Sequence, residues 1–83
     1  MNGSDEPAGS DARVRLDLRG VACPLNWARA KARLETMQRG ELIELLADDP
    51  RAGRDIPVAA ETEGYFVLSV GMITGVWHIL IER

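Results

Sequence analysis

The chain has 83 residues, 46% of them apolar, a formal net charge of −3 and one cysteine. That is enough for one small domain with its own core, and a lone cysteine excludes an internal disulfide, a CxxC zinc site or a dithiol pair within the chain. No apolar run reaches the roughly 18 residues of a membrane span, and the acidic balance argues against a direct nucleic-acid binder, which carries a basic stripe. Residues 1–12 (MNGSDEPAGSDA) are rich in Gly, Ser, Pro and acids and lack an apolar h-region. They are expected to form a disordered tail and not a signal peptide, leaving one domain over residues 13–83.

Arg13 to Leu18 alternates, with Val14, Leu16 and Leu18 on one face and Arg13, Arg15 and Asp17 on the other. This is a half-buried strand. A turn at Arg19-Gly20 follows, and a helix is predicted from Pro24, whose missing N–H is not needed in a first turn. Trp27, Ala30, Leu34 and Met37 recur at helical spacing as the buried stripe, with Arg29, Arg33 and Gln38 outward. Gly40 is the expected C-cap.

Glu41 to Ala47 reads as a central strand. Asp48-Asp49-Pro50 marks a turn or helix entry. Without a His or Cys at ligand spacing, its two acids are expected to cap and not to bind metal. A second helix is predicted from Asp55 as N-cap through Pro57 to Gly64. Tyr65–Val70 and Val76–Glu82 are two further strands, joined by a hairpin loop over Gly71–Gly75.

The order β-α-β-α-β-β fits an α+β fold: a two-layer sandwich with a four-stranded mixed sheet and two helices on one face. The open face would carry Leu42, Leu46, Val67 and Leu80, a surface for a partner or a weak dimer. His78, mid-strand, is expected to be structural.

Cys23 falls between the turn and the first helix. Unpaired N–H groups and the helix dipole at that position favour an anionic sulfur, which is the nucleophilic form. The alternative reading is a small buried apolar residue. Arg13, Arg15, Arg19, Arg29, Lys31, Arg33 and Arg39 fall in the first half of the chain, where they either form solvated faces or a basic surface around Cys23.

The run Leu16-Asp17-Leu18-Arg19-Gly20, Cys23-Pro24, Arg29-Ala30-Lys31 with Leu34 and Met37, Gly40-Glu41, Asp48-Asp49-Pro50, Asp55-Ile56-Pro57 and Gly64 resembles the TusA/SirA-like sulfur-carrier family over Arg13–Arg83. The resemblance implies the same βαβαββ sandwich and a sulfur carrier or sulfurtransferase. Cys23 would be the catalytic residue, loaded as a covalent persulfide with no other cofactor and no metal. Arg19, Gly20, Pro24, Asn26, Arg29 and Lys31 would support the site. The implied partners are a cysteine desulfurase or another persulfide donor and a downstream acceptor protein, in the cytoplasm, serving tRNA thiolation, molybdenum-cofactor assembly or sulfur metabolism. The family motif is Cys-Pro-x-Pro, and this chain has Asn26 at its last position. It also lacks the family's usual aromatic near Ala59 and has Tyr65 where histidine is frequent. Two other readings compete: a non-catalytic partner-binding or regulatory module on the same fold, and a redox sensor in which Cys23 forms a mixed disulfide.

Overall fold

The computed structural model describes residues 13–83, so the expected tail over residues 1–12 lies outside the described residues. Six elements follow in order: β1 (Val14–Asp17), α1 (Leu25–Leu34), β2 (Leu42–Ala47), α2 (Ala52–Thr62), β3 (Phe66–Ile73) and β4 (Val76–Glu82). The sheet order is β1-β2-β4-β3. β1 and β2 run parallel, while β2–β4 and β3–β4 are antiparallel. Parallel neighbours need a long crossover, and α1 provides it. This is the α+β sandwich with a four-stranded mixed sheet that the sequence predicts.

The register assigns the faces. Ile43, Leu45 and Ala47 of β2 alternate inward and meet Ile81, Ile79 and Trp77 of β4. Leu34 and Ala30 of α1 and Ile56 and Ala60 of α2 complete the same buried cluster. Each Leu or Ile buried there contributes about 1.5–3 kcal/mol. The opposite face carries Leu42, Leu46 and Leu80, with Glu44 at its centre.

Glu44 is opposite Arg15 in the register and takes its guanidinium at 3.1 Å, with Arg13 at 3.9 Å and His78 Nδ1 at 3.2 Å. Burial pushes the Glu44 carboxyl up, but hydrogen bonds from His78 and Arg15 and the nearby arginine charges outweigh it and hold it below its ordinary value. His78 therefore does have a partner, supplied by the neighbouring strand.

Several boundaries differ from the sequence expectations, each for a local reason. The first helix starts at Leu25, with Pro24 just before it, and stops at Leu34. Met37 remains buried beyond the helix because the chain turns back, Met37 N–H donating to the Leu34 carbonyl at 3.0 Å. Gly40 thus belongs to the turn that leads into β2 and is not a helix C-cap. The second helix begins at Ala52, three residues ahead of the expected Asp55 cap. Asp49 starts it: its carboxylate takes the Arg51 N–H at 2.9 Å and its carbonyl takes the Ala52 N–H at 2.9 Å. Asp55 instead lies in the first turn, and Pro57 is inside the helix.

The β3–β4 connection is also shorter than expected. β3 runs on to Ile73, and Thr74-Gly75 alone forms the turn, both with positive φ (52° and 78°). That mirror-image turn matches the right-handed strand twist, so the strands continue into it. Val67 pairs with Ile81 and packs against the core, so it does not belong to the open face. A register shift between Val67 and Ser69 bends β3 immediately afterwards.

Candidate functional site

Parallel strands end at the same side of a sheet. The loop after β1 and the loop after β2 therefore meet, and Cys23 sits where they do. Leu18, fully buried, holds the start of the first loop through its N–H on the Leu46 carbonyl at 2.7 Å. Asp17 then folds the turn. Its carboxylate takes the Arg19 N–H at 3.0 Å and the Arg19 guanidinium at 2.9 and 2.7 Å. The guanidinium bond, then the backbone bond, lower the Asp17 carboxyl from 3.8 to about 2. Gly20 follows with φ +83°, a left-handed conformation that an L side chain resists.

Two adjacent carboxylates at the end of β2 pin this loop. Asp48 Oδ1 accepts the Gly20 N–H at 2.9 Å, and Asp49 Oδ2 accepts the Cys23 N–H at 3.0 Å. Asp49 Oδ1 faces the other way, onto the Arg51 N–H and, at 3.5 Å, Arg51 Nε. The backbone N–H of Arg51, then that of Cys23, hold the Asp49 carboxyl below its ordinary value. Arg51 is held above its own ordinary value by Asp49 first, with a smaller attraction to Cys23. An exposed cation is thus fixed by the same carboxylate that anchors the cysteine backbone. The acids of Asp48-Asp49-Pro50 act as caps and anchors, and no group of His, Cys, Asp and Glu able to hold a metal ion occurs among the described residues.

Cys23 is a free, half-buried thiol. A shallow cavity of about 210 Å³, lined by Gly20, Val21, Ala22, Asp48, Asp49 and Pro50, flanks its loop. A second cavity of about 330 Å³, lined by Arg39, Gly64, Tyr65, Phe66 and Arg83, opens at the far end of the sheet, away from the cysteine. The Cys23-Pro24 peptide is cis. The chain then enters α1 with Asn26 N–H on the Ala22 carbonyl at 3.1 Å and Ala28 N–H on the Pro24 carbonyl at 3.1 Å.

The Asn26 N–H is used, although the first turn does not demand it. The Asn26 side chain is fully buried, in line with Ala30 and Leu34, while Trp27, expected on that stripe, is half-buried and packs against the same core. Its Oδ1 accepts the Trp27 N–H at 2.6 Å, while its buried Nδ2 has no partner among the described residues. Trp27 is half-buried and meets Tyr65 edge-on, ring centres 6.2 Å apart.

The other predicted cations lie apart. Arg19 is occupied by Asp17, and Lys31 reaches across to Glu63 at 3.1 Å, tying α1 to the end of α2. Arg29 is exposed on α1. The structure brings Cys23, Gly20 and Pro24 together and adds Asp48, Asp49 and Arg51; the sequence predicts the two acids as caps and offers nothing for Arg51. The signal available for them was the parallel pairing of β1 and β2, because it makes the residues after β2 neighbours of the residues after β1.

These features define a class: a small two-layer α+β domain whose single cysteine is held by its backbone at the end of parallel strands. The comparisons with known proteins agree. The family model for sulfurtransferase TusA matches residues 14–83, and the chain belongs to that family. It is 39% identical over 74 residues to a putative sulfur carrier protein of Archaeoglobus fulgidus, covering 88% of this chain and 84% of that protein. It is 31% identical over 74 residues to the sulfur carrier protein TusA of Allochromatium vinosum, covering 89% and 97%. The crystal structure of a SirA-like protein from Desulfitobacterium hafniense superposes with a TM-score of 0.73 at 25% identity, covering 84% of this chain and 96% of that one.

Proposed function

We propose that this protein is a sulfur carrier that holds persulfide sulfur on Cys23. The observation that carries this reading is the Asp49–Cys23 hydrogen bond, which fixes the backbone of a half-exposed thiol and leaves its sulfur free to react. The relatives named sulfur carriers support it.

In the loading step the Cys23 thiolate attacks the terminal sulfur of a donor persulfide. A new S–S bond forms, the donor's S–S bond breaks, and the donor leaves as its thiolate. In the unloading step an acceptor thiolate attacks the outer sulfur of the Cys23 persulfide, and Cys23 leaves as a thiolate. Electrons balance with no external oxidant. A second cysteine beside the first would collapse the persulfide to a disulfide, and the sequence has only one. The donor is a cysteine desulfurase or another protein carrying a persulfide, in the cytoplasm. The acceptor belongs to a biosynthetic or sulfur-metabolic route such as tRNA thiolation or molybdenum-cofactor assembly.

The test is to incubate the protein with a cysteine desulfurase and free cysteine and record an intact mass without reductant. A gain of one sulfur atom, reversed by reductant and absent in Cys23→Ser, is the expected result. No gain with several desulfurases would overturn the loading step as written and favour the partner-binding module.

A further inference from the structure

The cavity of about 330 Å³ at the far end of the sheet is lined by Arg39, Gly64, Tyr65, Phe66 and Arg83. It lies where α2 finishes and β3 begins. Arg15, Arg19, Arg51 and Arg54 each have an acidic partner. The two arginines of the cavity have none among the described residues, and Arg83 Nε is buried with no hydrogen-bond partner. Buried donors of a charged group are normally paired, so the orphan Nε calls for an acceptor.

The ordinary structural uses of these arginines are already filled. A helix C-terminus attracts cations through its free carbonyls. At the end of α2, however, the carbonyls of Ala59, Ala60 and Glu61 accept the N–H groups of Glu63, Tyr65 and Gly64. The Glu63 carboxylate is taken by Lys31 at 3.1 Å. The Arg83 backbone is fixed as well: its N–H donates to the Glu41 carbonyl at 3.0 Å, and its carbonyl accepts the Gly40 N–H at 3.1 Å. Both guanidiniums are thus presented by anchored backbone, one from the end of β4 and one from the turn before β2.

We infer that this cavity binds a phosphate monoester joined to a flat aromatic ring, a nucleoside monophosphate being the ligand of that class. Two guanidiniums match the two negative charges of a phosphate monoester, and each planar fork suits its oxygens. Beside them Phe66 is 63% exposed and Tyr65 shares the wall, which gives a base a surface to stack on. Glu82 stands across from Phe66 in the strand pairing, so the uncharged ring belongs at Phe66 and the anion at the arginines. The volume falls near the lower end of small-molecule sites, roughly 300–1,000 Å³, and exceeds what a bare phosphate needs. Tyr65 also meets the ring of Trp27 in the first turn of α1, so an occupant of the cavity should be felt by that indole. The inference is independent of the sulfur chemistry, and Cys23→Ser should bind the same ligand as the parent chain.

The test is a titration of the full, isotopically labelled chain with adenosine monophosphate, followed by amide and indole chemical shifts. Adenosine and inorganic phosphate are the companion probes. Adenosine monophosphate is expected to shift the Gly40, Gly64, Tyr65 and Phe66 amides and the Trp27 indole with a Kd of about 1 mM or lower. Adenosine lacks the dianion and phosphate lacks the ring, and each should bind about tenfold or more weakly. Arg39→Gln, in an exposed turn, and Arg83→Gln should each weaken the nucleotide about tenfold or more, with the circular dichroism unchanged. Arg29→Gln, at an exposed cation of α1 outside the cavity wall, should leave binding as it is. No shift at these groups up to about 10 mM nucleotide overturns the inference. Adenosine binding as tightly as its monophosphate would overturn the role of the arginines, and phosphate binding as tightly would overturn that of the ring. An Arg39→Gln chain with the parent's affinity also overturns it.

Discussion

The side chain of Asp49 holds the backbone of Cys23: Oδ2 accepts the cysteine N–H at 3.0 Å across 26 positions of sequence. The bond joins the loop after β1 to the loop after β2 and sets the direction in which the thiol leaves the chain. Asp49→Ala removes this acceptor and the one that starts α2. Sulfur loading of Cys23 should slow on the order of tenfold, because a reacting atom that wanders loses its alignment. Asp49→Asn keeps one carbonyl oxygen where two acceptors are used and should fall between. The check is the rate of mass gain with a desulfurase, alongside far-ultraviolet circular dichroism to show that the fold persists.

Arg51 is held by Asp49, the residue that also takes the Cys23 N–H, and a cation fixed there would favour an anionic sulfur. Arg51→Glu should reduce the loading rate several-fold, and about 0.5 M salt should erase most of the difference by screening an exposed pair. Loading rates of the two proteins at low and high salt decide this. Equal rates at low salt would show that Arg51 serves only the start of α2.

Acid should destabilise the protein through its paired carboxylates. Asp17 lies at about 2 against an ordinary 3.8, and Glu44 and Asp49 also lie below their ordinary values. A carboxyl whose folded value is lowered stabilises the fold above its unfolded value and loses that contribution as pH falls toward the folded one. In this window the unfolded chain binds more protons, so stability rises with pH. Denaturant melts should therefore weaken from about pH 4.5 downward toward about pH 2. Glu44→Gln and Asp17→Asn should each flatten that slope. The Asp17 share should shrink in salt because Asp17 and Arg19 are exposed.

Gly53 lies under the indole of Trp77, and a Cβ there would come within 2.5 Å of the ring. Gly53→Ala gains about 1 kcal/mol of helix propensity, but overpacking against a ring costs about 1–3 kcal/mol, so the net change should be destabilising. Trp77→Leu removes the ring and should reverse the sign of the Gly53→Ala effect. A double-mutant cycle by chemical denaturation measures it.

The alternating and helical patterns of this chain made its fold legible. Val14/Leu16/Leu18 and Ile43/Leu45/Ala47 point inward as their spacing predicts, and the order of elements admits few topologies. Boundaries were less legible where a remote or multiple partner decides them. Asp49 starts α2 with both its side chain and its carbonyl, so a cap assigned to Asp55 by residue type alone falls three residues late. The two-residue turn at Thr74-Gly75 needs a positive φ at threonine, a conformation that composition does not suggest.

The placement of Cys23 and Gly20 in the loop before α1 was legible from local sequence, because a turn followed by a helix start suffices to find it. Asp48, Asp49 and Arg51 were not, since their nearness depends on strand pairing. Asn26 was visible as a departure from Cys-Pro-x-Pro, but its burial depends on which side of α1 meets the sheet. Asn26 joins Ala30 and Leu34 on the inner stripe, and Trp27 beside it packs against the core half-buried.

Because β1 and β2 run in the same direction, the cysteine loop and its anchor are inherited from different segments of the gene. Exchanging the few residues that follow Ala47 would re-aim or recharge the sulfur while leaving the Cys23-Pro24 loop untouched. Related chains can thus diverge in reactivity without any visible change in the cysteine motif itself.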